Sequence, residues 1–247
     1  MKKMVVVAVL ALGLGLVLAG TGWCITVDGT FDRTEWAGNY TDGAEASSGT
    51  NSGYVGPGYG GNTYDIKAIG LKLDSNDLYF GIEAGYDLVN GTSTYKPGDF
   101  FLDFGNDGVW DVAIDYIVSG NTVSFNVYDQ FDIVSPVIDW GTGSPWSVDL
   151  SSNNLSLAVT SAGAYWTNSL NFAAGNGLNS LEGVIDLNVS GLSQFMGQSA
   201  TIFWTMECNN DELQHTAPVP EPQTLLLMGI GLLGLAFVGR KKMGDRA

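Results

Sequence analysis

The sequence predicts an all-β protein, an antiparallel jelly-roll-like β-sandwich, and three observations carry that expectation. From Tyr64 onward, short apolar runs alternate with turn-rich breaks, the spacing of strands in sandwiches and barrels. Within the runs, residue character alternates with period two. Val123, Phe125 and Val127 fall on one face and Ser124, Asn126 and Tyr128 on the other, as in a half-buried strand. No stretch between residues 23 and 217 carries a convincing helical period, and only 192–196 reads as a single helical turn.

Taken in order, Ile25-Thr26-Val27-Asp28-Gly29 begins with alternation and stops at a turn signal. Residues 38–62 are rich in Gly, Ser, Asn and Tyr. A loop of that length is uncommon in a compact domain and is often functional. Strands are expected at 66–73, 77–84, 99–104, 110–118, 122–128, 146–150, 155–160, 165–172, 181–189 and 200–208. The breaks Asp74-Ser75-Asn76, Gly105-Asn106-Asp107-Gly108, Ser119-Gly120-Asn121 and Ser151-Ser152-Asn153-Asn154 are built from turn-forming residues.

Both ends differ from this pattern. Lys2 and Lys3 precede the apolar run 4–19, with Ala19, Gly20 and Gly22 at its end, which is the order of a secretory signal peptide, expected at 1–22. At the other end Val219-Pro220-Glu221-Pro222 leads into the apolar stretch 225–238 and then Arg240-Lys241-Lys242. That stretch has no polar face and is shorter than the roughly 20 residues of a stable span. Its closing cations suit a hydrophobic helix that stops on the cytoplasmic side. The folded body is therefore expected over 23–217 and an address over 218–247.

Charge narrows the partners. The chain carries a formal net charge of −16. The body holds only Arg33, Lys67, Lys72 and Lys96 against 24 acidic residues. Such a field repels nucleic acid and anionic headgroups and attracts divalent cations. Seven Trp, ten Tyr and eleven Phe argue against an acidic disordered chain.

The tail, with its Pro-Glu-Pro signature, apolar helix and basic end in that order, resembles the PEP-CTERM sorting signal of bacterial proteins, also known as an ice-binding protein C-terminal domain. The resemblance implies recognition by an exosortase and transient anchoring in the inner membrane. It further implies delivery to the cell surface or extracellular matrix. A second resemblance runs through the body. Val27-Asp28-Gly29 with Glu35-Trp36, Leu78-Tyr79-Phe80-Gly81-Ile82, and Glu182-Gly183-Val184-Ile185-Asp186-Leu187 are similar to segments of family 9 carbohydrate-binding modules and DOMON-type sandwiches, with Asp186 where that family has proline. It implies a sandwich and an affinity for sugars, with exopolysaccharide as the partner. The aromatic clamp of those modules maps onto no particular residues of this chain.

Several residues are candidates for chemistry. Asp103, Asp107 and Asp111 flank a Gly turn and suit a hard cation such as Ca²⁺, or simply an Asp-Gly turn. Asp28 and Asp32 are a second such pair. Cys24 and Cys208 can pair in an exported protein, with two free thiols as the alternative. Trp140 and Trp146 lie in a Gly/Pro-rich stretch and are the candidates for an exposed surface that stacks on sugar. His215 is the only histidine and falls in a polar stretch ahead of the tail, so histidine-dependent triads and zinc sites are not expected. A non-catalytic surface or matrix component is the expectation. A carbohydrate-active enzyme needing only two suitably spaced carboxylates is the alternative, and no spacing selects the pair.

Overall fold

A computed structural model of the chain describes residues 25–43, 61–74, 76–138, 144–167, 178–219, 229, 231 and 232, with Trp166 described by its backbone alone. Among the described residues twelve strands follow one another: β1 (Tyr40–Asp42), β2 (Ile66–Asp74), β3 (Asp77–Ala84), β4 (Phe100–Phe104), β5 (Val112–Ser119), β6 (Thr122–Gln130), β7 (Ile133–Val134), β8 (Ser147–Val148), β9 (Ser156–Thr167), β10 (Asn179–Asp186), β11 (Ala200–Thr205) and β12 (Glu212–Ala217). Short 3₁₀ turns lie at Gly61–Tyr64 and Ser193–Phe195. The second is the single turn expected near 192–196.

All-β and antiparallel hold, but the layering differs from the expected sandwich. Ten strands form one sheet in the order β1-β2-β3-β10-β9-β6-β5-β4-β11-β12, and β7 pairs with β8 beside it. The sheet curls until its edges approach, nearly closing a barrel. Across the seam the Thr41 hydroxyl lies 3.0 Å from His215 Nδ1, and the Ile66 N–H donates to Asp211 Oδ2 at 2.7 Å. Register shifts on β6 at Val127/Tyr128 and Tyr128/Gln130, and on β2 at Ile66/Ala68, supply the extra bend and twist that curling needs. Period-two patterning decides which face is buried, and it is the same for a curled sheet as for two stacked ones.

The concave face holds the main core. Phe80 meets Phe100 and Phe125 edge-on at centroid distances of 5.2 and 4.8 Å. Gly163 and Gly183 make room for these rings: a Cβ would stand 2.6 and 2.5 Å, respectively, from Phe125 Cε2. Residues 161–164, expected as a break between two strands, therefore continue through β9, whose twelve residues pair with both β6 and β10.

Two segments cover the convex face. The N-terminal segment lays Ile25, Phe31 and Trp36 against Ala68. The stretch 131–155 lays Phe131, Val148 and Leu155 against Phe101, Ala113 and Phe203. His215, expected in a polar lead to the tail, lies instead within β12, where Ile202 pairs with it. An edge strand is half-solvated, so its apolar signal is weak. Gly229, Gly231 and Leu232 are helical, and no helix among the described residues is long and apolar enough to cross a membrane. The rest of 225–238 and the expected signal peptide lie outside the described residues.

Close contact at Gly183 gives a direct test. Gly183→Ala should destabilise by about 1–3 kcal/mol through overpacking. Adding Phe125→Leu should recover part of that loss, because the two share one volume. Urea melts of the two singles and the double measure the coupling, and strict additivity would contradict the packing.

Candidate functional site

Sequence alternation puts Glu182 on the convex face of β10, in register with Gly81 of β3 and Ala164 of β9. There it is fully buried. Its carboxylate accepts the Trp36 indole N–H at 2.9 Å, the Gly29 N–H at 3.1 Å and the Asp28 N–H at 3.3 Å. The Ser180 hydroxyl donates to the Gly29 carbonyl. Trp36 fits because Gly70 and Gly81 lie beneath it: a Cβ at Gly70 would stand 2.5 Å from the indole. Phe31 stacks on Trp36 at 5.1 Å with the planes 4° apart. The segment from Asp28 to Trp36 and the strand carrying Glu182 thus meet in a structural anchor. Burial pushes the Glu182 carboxyl up to about 7, against the pull of its three N–H donors.

The acidic turn between β4 and β5 is self-sufficient. Asp103 accepts N–H bonds from Asp107 and Gly108 at 3.0 and 2.9 Å. Asp107 accepts from Val109 at 3.0 Å, and Asp111 from Phe104 at 2.8 Å. Burial raises the Asp111 carboxyl, helped by the charges of Asp107 and Asp103. Asp28 and Asp32 likewise accept from Thr30 and Thr34, both at 2.8 Å. Among the described residues no group of three or more His, Cys, Asp or Glu could hold a metal ion.

Strand ends joined by the longer connections lie side by side at one end of the sheet. Those connections are residues 43–65, 85–99, 168–178 and 206–211. Asp211, buried at this end, takes N–H bonds from Ile66 and Glu212 at 2.7 and 2.9 Å. Burial pushes its carboxyl up to about 9. Asp65 pairs with Lys67 beside it. Cys208 is buried and its thiol is raised by that burial, while Cys24, and with it the expected bridge, lies outside the described residues.

A cavity opens at the same end. β4 pairs with β5 only from Leu102↔Val112 to Phe100↔Ile114, so residues 115–119 have no β4 partner. Residues 88–99 and the chain at Trp146 stand beside that open edge and enclose ≈ 360 Å³. Asp99, Asp115, Tyr116 and Trp146 line it. Asp99 is only 8% exposed. It is fixed by its own N–H donating to the Trp146 carbonyl and by the Val148 N–H donating to Oδ2, both at 2.8 Å. Burial pushes its carboxyl up to about 7, and Asp115 adds to the rise. The Tyr116 hydroxyl and the Trp146 indole N–H are buried without a hydrogen-bond partner.

Of the expected ligand residues, Trp146 reaches this cavity, and Trp140 lies outside the described residues. Asp99, Asp115 and Tyr116 were not singled out by sequence reasoning. The available signal was an acid interrupting an apolar strand, which Asp99, Asp115 and Glu182 all show. Trp204 is core, as its alternation implied, with its indole N–H donating to the Gly98 carbonyl at 2.9 Å.

One comparison identifies the tail. Residues 218–242 match the PEP-CTERM protein-sorting motif. The chain thus carries the address of an exported protein recognised by an exosortase and directed to the surface. The match contains the expected Val219, Pro220, Glu221, Pro222, Arg240, Lys241 and Lys242. No curated protein and no solved structure matches the chain, so the resemblance of the body to carbohydrate-binding and DOMON modules gains no support.

Two predictions arise here. Glu182, Asp99 and Asp211 sit at about 7, about 7 and about 9, above the roughly 4 of an unfolded carboxyl. The folded chain then binds more protons than the unfolded chain across that interval. Their contribution is fully present below about pH 4 and is lost as pH rises through 7 to 9. The melting temperature should fall from pH 5 to pH 9, and Glu182→Gln should flatten the fall. A flat wild-type profile would contradict the burial of these acids. Separately, Asp103→Ala should cost about 1–2 kcal/mol by orphaning two turn N–H groups, in calcium-free buffer as in calcium, as read by thermal melts.

Proposed function

We propose that this protein is a non-catalytic component of the cell surface or extracellular matrix, sorted there by an exosortase, whose β-body binds exopolysaccharide. The observation that carries the reading is the sorting motif at 218–242, joined to the last strand of an antiparallel body. Supporting it, the buried acids Glu182 and Asp211 are engaged by main-chain N–H groups. Such carboxylates hold structure together rather than wait for a substrate. Contact with sugar would come from the aromatic and carboxylate groups at the loop-bearing end, where Trp146 lies. The inner membrane is a transient partner in this scheme, reached through the tail.

A second reading has one specific observation in its favour. Asp99 and Asp115 line the same cavity, and a carboxyl held near 7 beside another acid is the kind of pair a glycoside-cleaving enzyme uses. Release of reducing ends from exopolysaccharide would favour the enzyme. Retention without release favours the matrix component.

Sorting is tested in a host that carries the exosortase. Wild type should lose the segment after Pro222 and reach the surface. Pro222→Ala, or deletion of Arg240, Lys241 and Lys242, should leave full-length chain in the inner membrane. Mass spectrometry of surface protein reads the outcome, and an intact C-terminus on wild type would count against processing.

A further inference from the structure

The seam that closes the curled sheet holds one titratable ring. His215 lies on the core face of β12: Leu213 and Ala217, two residues to either side, both pack on the main core. So does Ile202, its partner on β11. Across the seam Thr41 holds the matching place on β1, opposite the core residue Ile69 of β2. The Thr41 hydroxyl lies 3.0 Å from His215 Nδ1, while Nε2 is buried without a hydrogen-bond partner. This pairing selects a tautomer. With the proton on Nδ1, the ring donates to the Thr41 oxygen and leaves a bare lone pair at Nε2. With the proton on Nε2, a buried N–H would have no acceptor, which is the costlier arrangement.

A second proton turns Nε2 into such a donor and charges a ring set among apolar side chains, which costs more again. The charged groups of the neighbouring strands are engaged elsewhere. β11 carries no titratable residue. On β1, Asp42 is bound to Arg33, and Tyr40 packs edge-on to Phe31. On β2, Lys67 pairs with Asp65, Lys72 lies over the Tyr79 ring, and Asp74 is exposed at the strand's end. At the start of β12, Asp211 accepts the Ile66 N–H and Glu212 accepts the Ser144 hydroxyl. The protonated ring therefore gains most by reaching water, which requires β1 and β12 to part.

We propose that His215 is an acid-sensitive latch: neutral, it holds β1 to β12 through Thr41, and protonated, it opens that half of the seam. The half held by Asp211 and the Ile66 N–H stays closed. Opening frees two strand edges, and free edges invite pairing with another chain. Burial lowers the ring below its ordinary value in the closed state, so the open state binds the proton more readily. The closed seam is then favoured above the ordinary value of about 6.5. Below it the opening constant rises by up to about tenfold per pH unit, levelling off once the closed ring is also protonated. The buried acids Asp99, Glu182 and Asp211 act in the opposite direction, favouring the folded chain as pH falls. A loss confined to the seam is therefore not theirs.

Proton NMR and hydrogen exchange of the purified full-length chain read ring and latch together. As the only histidine, His215 gives one set of ring signals, and their midpoint should lie below that of a free histidine. The Leu71 N–H donates to the Asn39 carbonyl and the Gly43 N–H to the Lys67 carbonyl, tying β1 to β2 at both ends. Corrected for intrinsic exchange, protection of these two amides should fall about tenfold from pH 7.5 to pH 5. The amides of β6, in the middle of the sheet, should not lose protection. His215→Gln cannot titrate and keeps a side-chain amide for Thr41, so its seam should be equally protected at both pH values. The same loss in His215→Gln, or no loss in wild type, would overturn the latch. Should His215→Gln fail to fold, wild type still decides: a ring midpoint at or above that of free histidine overturns it. So does a loss that begins only near pH 4, where exposed carboxyls titrate.

Discussion

The buried carboxylate of Glu182 joins three parts of the chain that lie far apart in sequence. Asp28 and Gly29 approach it from the N-terminal segment, Trp36 from the following turn, and Glu182 itself belongs to β10. A charge removed from water is tolerable only when it is richly hydrogen-bonded, and here three N–H groups converge on it. Without it, the Gly29 N–H and the Trp36 indole N–H would be buried with nothing to accept them, while the Asp28 N–H would keep the Thr26 carbonyl. The cover over β2, β3 and β10 would then lose its fixed position. The glycines beneath are part of the same constraint, because Trp36 can approach only where Gly70 and Gly81 leave space. Gly29 makes the approach from the other side, at φ +90 and against the Tyr165 main chain, where a side chain would clash.

Curvature follows from how the sheet ends are sealed. A ten-stranded open sheet would present two edges, and exposed edges invite pairing with other chains. Here β1 and β12 meet across a seam made by side chains, Thr41 with His215 and Asp211 with the Ile66 N–H, instead of a full backbone ladder. Burial lowers His215 below its ordinary value, so the ring at the seam stays neutral over a wider range. The acids at the loop-bearing end are partly neutral for the same reason. Raising Asp211 to about 9 and Asp99 to about 7 reduces repulsion within a strongly acidic body.

How much was legible in the sequence depends on which force decides each feature. Strands such as β2, β3, β5 and β6 are set by local alternation, and their boundaries are close to those expected. Sandwich and curled sheet differ only in which strands pair, and alternation is blind to pairing. The sequence divides this region into strands at 155–160 and 165–172, whereas β9 runs on through Gly163, whose small size is required by Phe125 packing against it. β12 was missed because Glu212, Gln214 and Thr216 make an edge strand look like a linker. The sorting motif was fully legible, since a peptide signal is recognised from linear order. The cavity was not, because it exists only where β4 stops short of β5. For Asp103, Asp107 and Asp111 composition leaves two readings, because residues that suit a cation also suit the N–H groups of their own turn.

The topology also relates the address to the cavity. β12 begins with Glu212 at the loop-bearing end and finishes with Ala217 at the other. The sorting motif starts at residue 218, so the tail emerges from the end opposite the cavity. Ala217 is buried, and Val219 two residues later is exposed, which leaves almost no slack between body and motif. When an exosortase holds the tail, the body is gripped at one end while the cavity and the open edge of β5 lie at the other. The cavity and the sorting motif therefore lie at opposite ends of one curled sheet.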